Sequence, residues 1–164
     1  MKVLHLPMTK LLTLALTCLA AVASAQNALD KSRPLNAERT QITGDFNKAQ
    51  AQLRAAKTES DREAAHALIA EVARKADTLR GYIIQGNNDV ITALNTQRYG
   101  KQDRSATIKA VTAKLEQANQ TLSALPLPAG PQFNPAEINQ IQRVLDVSRT
   151  TLDLHKHACQ NLPK

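Results

Sequence analysis

Residues 105–125 read SATIKAVTAKLEQANQTLSAL, and their apolar positions decide the fold. Ile108, Val111, Leu115, Ala118, Leu122 and Leu125 follow one another at intervals of 3, 4, 3, 4 and 3. Those intervals hold six side chains on one face of an α-helix; on a strand they would scatter over both faces. Ser105 is expected to cap this helix.

Downstream, Pro126–Pro135 carries four prolines in ten residues, which excludes a helix there. Asn134 is placed to cap the next helix, with Pro135 at its first position. That helix repeats the pattern through Ile138, Ile141, Leu145, Ser148, Leu152, His155, Cys159 and Leu162. Upstream, Tyr99–Arg104 reads as a loop. Before it runs a longer stripe: Ala65, Leu68, Val72, Ala76, Leu79, Ile83, Gly86, Val90 and Leu94, ending near Arg98. Gly81, Gly86 and Asn87-Asn88 are expected to kink or break it. Ser60 and Glu63 form a capping-box pattern at its start. The first stripe is Leu35, Ile42, Phe46, Ala49, Leu53 and Ala56, with Pro34 in its first turn and Gly44 weakening it. A single helix through both stretches is the alternative, because a four-residue stutter across Ser60 keeps the stripes in phase.

No segment alternates with period two. The expected fold is all-α: an elongated, coiled-coil-like antiparallel four-helix bundle, or a three-helix arrangement if the first two stretches are fused.

The N-terminus has a different character. Lys2, His5 and Lys10 precede an apolar run from Leu11 to Val22, which ends in Ala23-Ser24-Ala25. This is the pattern of a signal peptide cleaved after Ala25, so residues 1–25 are read as a leader and 26–164 as one domain. The run is shorter than the roughly 20 residues needed to span a bilayer, and no transmembrane segment is expected after cleavage. Cys18 lies in a poor lipobox, since Leu16 and Thr17 stand where small residues belong. The location is therefore periplasmic or secreted.

The remaining 139 residues hold 19 basic and 14 acidic side chains, a net charge of +5, and one cysteine, Cys159. A lone thiol cannot close an internal disulfide. Large aliphatics and Phe number 29 in that span, so the core is rich in Ala and stability is expected to be modest.

Chemistry-bearing residues are few. His155, His157 and Cys159 form the densest ligand cluster. His155 and Cys159 share a helix face, whereas His157 points away. No second cysteine completes a zinc site, although a homodimer would bring two such pairs together. The expected role of His155 and Cys159 is to fill core positions, with no metal and no cofactor. No Cys-x-x-Cys-His is present, and no Met remains after cleavage to ligate a haem. Glu63 and His66 supply one Glu-x-x-His where a di-iron bundle needs two. No nucleophile elbow or phosphate loop occurs, so an enzyme is not expected.

The topology of four antiparallel helices brings the mature N-terminus, the second connection and the C-terminus to one end. That end would gather Lys31, Arg33, Arg98, Lys101, Arg104, Lys156 and Lys164 against Asp30, Asp103 and the terminal carboxylate, about +4. The opposite end holds Lys57 and Arg62 against Glu59, Asp61, Glu63 and Glu137, about −2. Arg98, Tyr99, Lys101, Arg104 and Lys156 are the candidate partner-binding residues, with Tyr99 as an anchor. Export and the shortage of aromatics argue against nucleic acid. The expected function is binding of a macromolecular partner, either another envelope protein or an acidic envelope component, as an adaptor, chaperone, inhibitor or immunity protein. A small-molecule or sensory module and a metal-binding protein are the alternatives.

Overall fold

The computed structural model describes residues 33–96 and 104–162. Within them lie four helices and no strand: α1 over residues 33–55, α2 at Glu59–Thr96, α3 at Ser105–Ala124 and α4 at Pro135–Gln160. This is an all-α four-helix bundle. The signal-peptide reading of residues 1–25 falls outside the described residues.

Residues 56–58 separate α1 from α2, so the fused, three-helix alternative does not occur. The cap lies two residues before the expected one. The Asp61 backbone N–H donates to Thr58 Oγ1 at 3.1 Å, and Thr58 N–H donates to Asp61 Oδ2 at 3.0 Å. Ser60 and Glu63 match the same pattern, but Asp61 also accepts from Lys57 N–H at 3.3 Å. One carboxylate thus satisfies two exposed donors, and the helix starts at Glu59.

Two further expectations about α2 require correction. The helix continues across Gly81, Gly86 and Asn87-Asn88, so a break does not occur there. Two glycines cost roughly 2 kcal/mol of helix propensity. Leu79, Ile83, Val90 and Leu94 are all buried around them. Each such side chain contributes roughly 1.5–3 kcal/mol, which outweighs that cost. Leu68 is 45% exposed, and its neighbour Ile69 takes the inward position instead. The run Ala65, Ile69, Val72, Ala76 follows the 3.6-residue repeat more closely than a run through Leu68.

α3 begins at Ser105, but Arg104 occupies the cap position and makes no side-chain capping bond, so Ser105 is not the cap. α4 starts as expected. Asn134 Oδ1 accepts from Ala136 and Glu137 N–H, Glu137 Oε2 accepts from Asn134 N–H, and Pro135 fills the first position.

Cross-links between helices fix their directions. Arg80 and Asn87 of α2 bond to Leu125 and Asn119, so α2 and α3 are antiparallel. His66 and Asn87 bond to Phe133 and His155, so α2 and α4 run in the same direction. The proline-rich connection is held to α2 at both ends. The Arg80 guanidinium donates to Leu125 O at 2.8 Å, and Phe133 N–H donates to His66 Nδ1 at 3.2 Å, with the two rings stacked.

The apolar core forms two clusters. The first joins Ile42, Phe46 and Ala49 of α1 to Ile69–Ile83 of α2, Leu122, Phe133 and Ile141–Leu152. The second joins Val90 and Leu94 of α2, Leu115 of α3 and Ala158, Cys159 and Leu162. Among the described residues it takes nothing from α1. At 1.5 Å per residue the described part of α1, residues 33–55, covers about 34 Å, and α2 about 57 Å. No helix of the described residues is long and apolar enough to cross a membrane.

Candidate functional site

Between the two clusters the core turns polar. Asn87 is fully buried, His155 is 3% exposed and Asn119 is 9% exposed. Asn87 Nδ2 donates to Asn119 Oδ1 at 2.7 Å, and Asn119 Nδ2 donates to Asn88 Oδ1 at 3.0 Å. Asn87 Oδ1 is thereby left to accept, and it lies 2.9 Å from His155 Nδ1. The network therefore assigns the donating hydrogen to Nδ1. Gly86 lies against the ring: a Cβ there would sit 3.4 Å from His155 Cε1, at the near edge of ordinary contact. The buried hydroxyls of Ser148 and Thr112 have no hydrogen-bond partner among the described residues.

The amides of this layer are neutral and neither accept nor release a proton near neutrality. The layer fixes alignment: sliding one helix by a turn would leave an amide buried without a partner, at a cost of roughly 1–3 kcal/mol per group. The sequence stripes named Gly86 and Ala118 where Asn87 and Asn119 are the buried residues. Each asparagine continues a helical run, Ile83–Asn87–Val90 and Leu115–Asn119–Leu122, and that spacing was the available signal.

The C-terminal cluster separates as its geometry requires. His155 is held in the polar layer. Cys159 is buried in the second apolar cluster, and burial pushes its thiol up to about 11. The largest cause is desolvation of the thiolate, opposed by a weaker hydrogen bond from its own backbone. His157 is exposed on another face. Among the described residues no group of three or more His, Cys, Asp or Glu is placed to hold a metal ion.

Of the five basic-end residues, Arg104 and Lys156 are described. Both are exposed, at the start of α3 and in the last turns of α4. Because α3 and α4 are antiparallel partners of the second cluster, these two positions lie towards the same end. Arg98, Tyr99 and Lys101 lie outside the described residues. The grouping of that end changes in one respect. Leu35 packs on the first cluster, so Arg33, two residues before it, lies beside that cluster and not at the far end. Lys31 and Asp30 precede it and lie outside the described residues. Around residues 56–58, Lys57, Glu59, Asp61, Arg62 and Glu63 are exposed, with Arg62 paired to Glu59 at 3.0 Å.

No protein-family model, curated protein or solved structure matches the chain.

Proposed function

We propose that this is an exported helical-bundle protein that binds an acidic envelope protein through the end where α2 passes into α3 and α4 terminates, without catalysing a reaction. The observation that carries this reading is the charge contrast between the two ends. With Arg33 removed, the sequence assigns Arg98, Lys101, Arg104, Lys156 and Lys164 to this end against Asp103 and the terminal carboxylate, and Arg104 and Lys156 are exposed. At the opposite end Lys57 and Arg62 stand against Glu59, Asp61, Glu63 and Glu137. Such a polarised surface attracts acidic partners at long range and loses that attraction as salt shortens the screening length.

Charge reversal tests the reading. Changing Arg98, Lys101 and Arg104 together to Glu alters the local charge by six units at positions in or beside a connection. A partner captured from envelope extract should bind this variant far more weakly. Its association rate with the unchanged protein should fall with added salt. The matched control, Lys57→Glu with Arg62→Glu, should bind normally. Equal binding by both variants, or equal loss, refutes the polar-end reading. Salt-dependent binding to anionic lipid vesicles without any protein partner would replace the proposed occupant by a membrane surface.

A further inference from the structure

Beside the second apolar cluster an open groove runs along the junction of α3 and α4. Its volume is about 430 Å³, and Ala106, Ala110, Val111 and Leu154 supply apolar lining. The depression follows from residue size: Ala106 and Ala110 are one helical turn apart, and two missing side-chain volumes leave the wall low. Two basic side chains, Lys114 and His157, also line it, and among the described residues no carboxylate does. An apolar trough with a few converging polar groups and a volume of roughly 300–1,000 Å³ has the dimensions of a small-molecule site.

We propose that this groove binds a free, carboxylate-headed aliphatic amphiphile, the chain lying on Ala106, Ala110, Val111 and Leu154 and the headgroup pairing with Lys114. The sign of the lining selects the headgroup, because a cationic one would meet Lys114 with nothing to offset it. The same sign disfavours a second copy of this chain, since a twofold contact across the groove would bring two Lys114 ammonium groups to a lining without a carboxylate among the described residues. Ala106 to Leu115 spans about 14 Å of helix. An extended chain advances about 1.2 Å per bond, so roughly eleven bonds fill the groove. This site is separate from the protein-docking end, and its occupancy does not depend on that reading.

The probes are octanoate, decanoate and dodecanoate below their micelle concentrations, with decyltrimethylammonium and decyl glucoside as headgroup controls. Binding is followed by calorimetry and by the methyl resonances of Ala106, Ala110, Val111 and Leu154. Decanoate should saturate at one equivalent, shift those methyls, and gain roughly twofold in affinity per added methylene, as a half-covered chain should. Lys114→Glu should weaken decanoate about tenfold, from loss of the pair and repulsion by the new charge. Ala110→Leu fills the groove from an exposed helix position that favours Leu almost as well as Ala. It should weaken all three carboxylates about tenfold while the circular dichroism stays unchanged. If Ala110→Leu loses helicity, Ala110→Gln, bulky but hydrophilic, takes its place with the same expectation. The proposal is overturned if decyltrimethylammonium binds as tightly as decanoate, if the shifted methyls lie elsewhere, or if filling the groove leaves binding intact. It is also overturned if only anionic vesicles, and no free carboxylate, bind.

Discussion

The two halves of the bundle share α2, α3 and α4 and differ in how many described residues they bury. Among the described residues, sixteen buried ones make up the first cluster, including Phe46, and six make up the second. Among the described residues, α1 contributes to the first cluster and not to the second. A helix packed against three neighbours buries nearly its whole apolar stripe, whereas one packed against two leaves part of it open. Ile91, Ile108, Val111 and Leu154 are accordingly only partly buried around the second cluster. The better-covered half should set global stability, and the other half should open first.

The strongest test of this contrast is a pair of truncations. Phe46→Ala should cost about 3–5 kcal/mol in urea unfolding, because Phe46 is fully buried where α1 meets the core. Leu94→Ala, in the smaller cluster, should cost about 2–3 kcal/mol, since a less constrained site collapses more easily around the cavity. Equal costs would break the comparison. Hydrogen exchange sharpens it: α2 amides beyond Asn87 should exchange before those between Ile69 and Ile83.

A smaller effect is expected in the layer between the halves. Asn87→Ala leaves Asn119 Oδ1 and His155 Nδ1 without their partner, a loss of about 2–3 kcal/mol. A double-mutant cycle with Asn119→Ala should show strong coupling, and additive costs would mean that the two amides do not act as a pair.

The thiol in the second cluster reports on its dryness. Cys159 titrates near 11 in the folded chain against an ordinary 9.0. The folded state therefore holds this proton more tightly than the unfolded chain. Stability is full below pH 9, and declines as pH rises from there through about 11. Iodoacetamide should label Cys159 slowly at pH 8 and rapidly after unfolding. Fast labelling of the native protein would show that the second half opens readily.

The smallest effect belongs to the cap of α2. The Thr58 hydroxyl, then the Thr58 and Lys57 backbone donors, hold the Asp61 carboxyl below its usual 3.8. Its contribution is present above that value and is lost as pH falls below it. Asp61→Asn should abolish this part of the acid dependence and fray the first turn of α2, seen as faster amide exchange at Arg62 and Glu63.

Helix identity was legible in the sequence because burial repeats every three or four residues. The stripe of α4 from Ile141 to Leu162 is buried at every position named for it, His155 and Cys159 included. The Pro126–Pro135 connection and the Asn134 cap were legible too, since proline and asparagine act through local backbone chemistry. What escaped reading depended on distant partners. Asn87 reads locally as a helix breaker, and only Asn119 and His155, 32 and 68 residues away, make its burial favourable. Leu68 and Ile69 are equally apolar neighbours, and the packing partner decides between them. The cap at Thr58 competed with an overlapping pattern at Ser60 that composition alone does not rank. The place of Arg33 beside the first cluster depended on what Leu35 packs against, which no local signal supplies. The groove between α3 and α4 left only the trace of Ala106 and Ala110 at exposed helical positions.

The proline-rich connection between α3 and α4 also governs how a protease sees the molecule. Between Lys114 and Arg143 there are 28 residues with no lysine or arginine. Trypsin therefore has no site in this connection, whether it is docked on His66 and Arg80 or released. The other two connections each carry basic residues, Lys57 in one and Arg98, Lys101 and Arg104 in or beside the other. A partial tryptic digest should sever α1 from α2 and α2 from α3, while α3 and α4 leave together as one covalent hairpin.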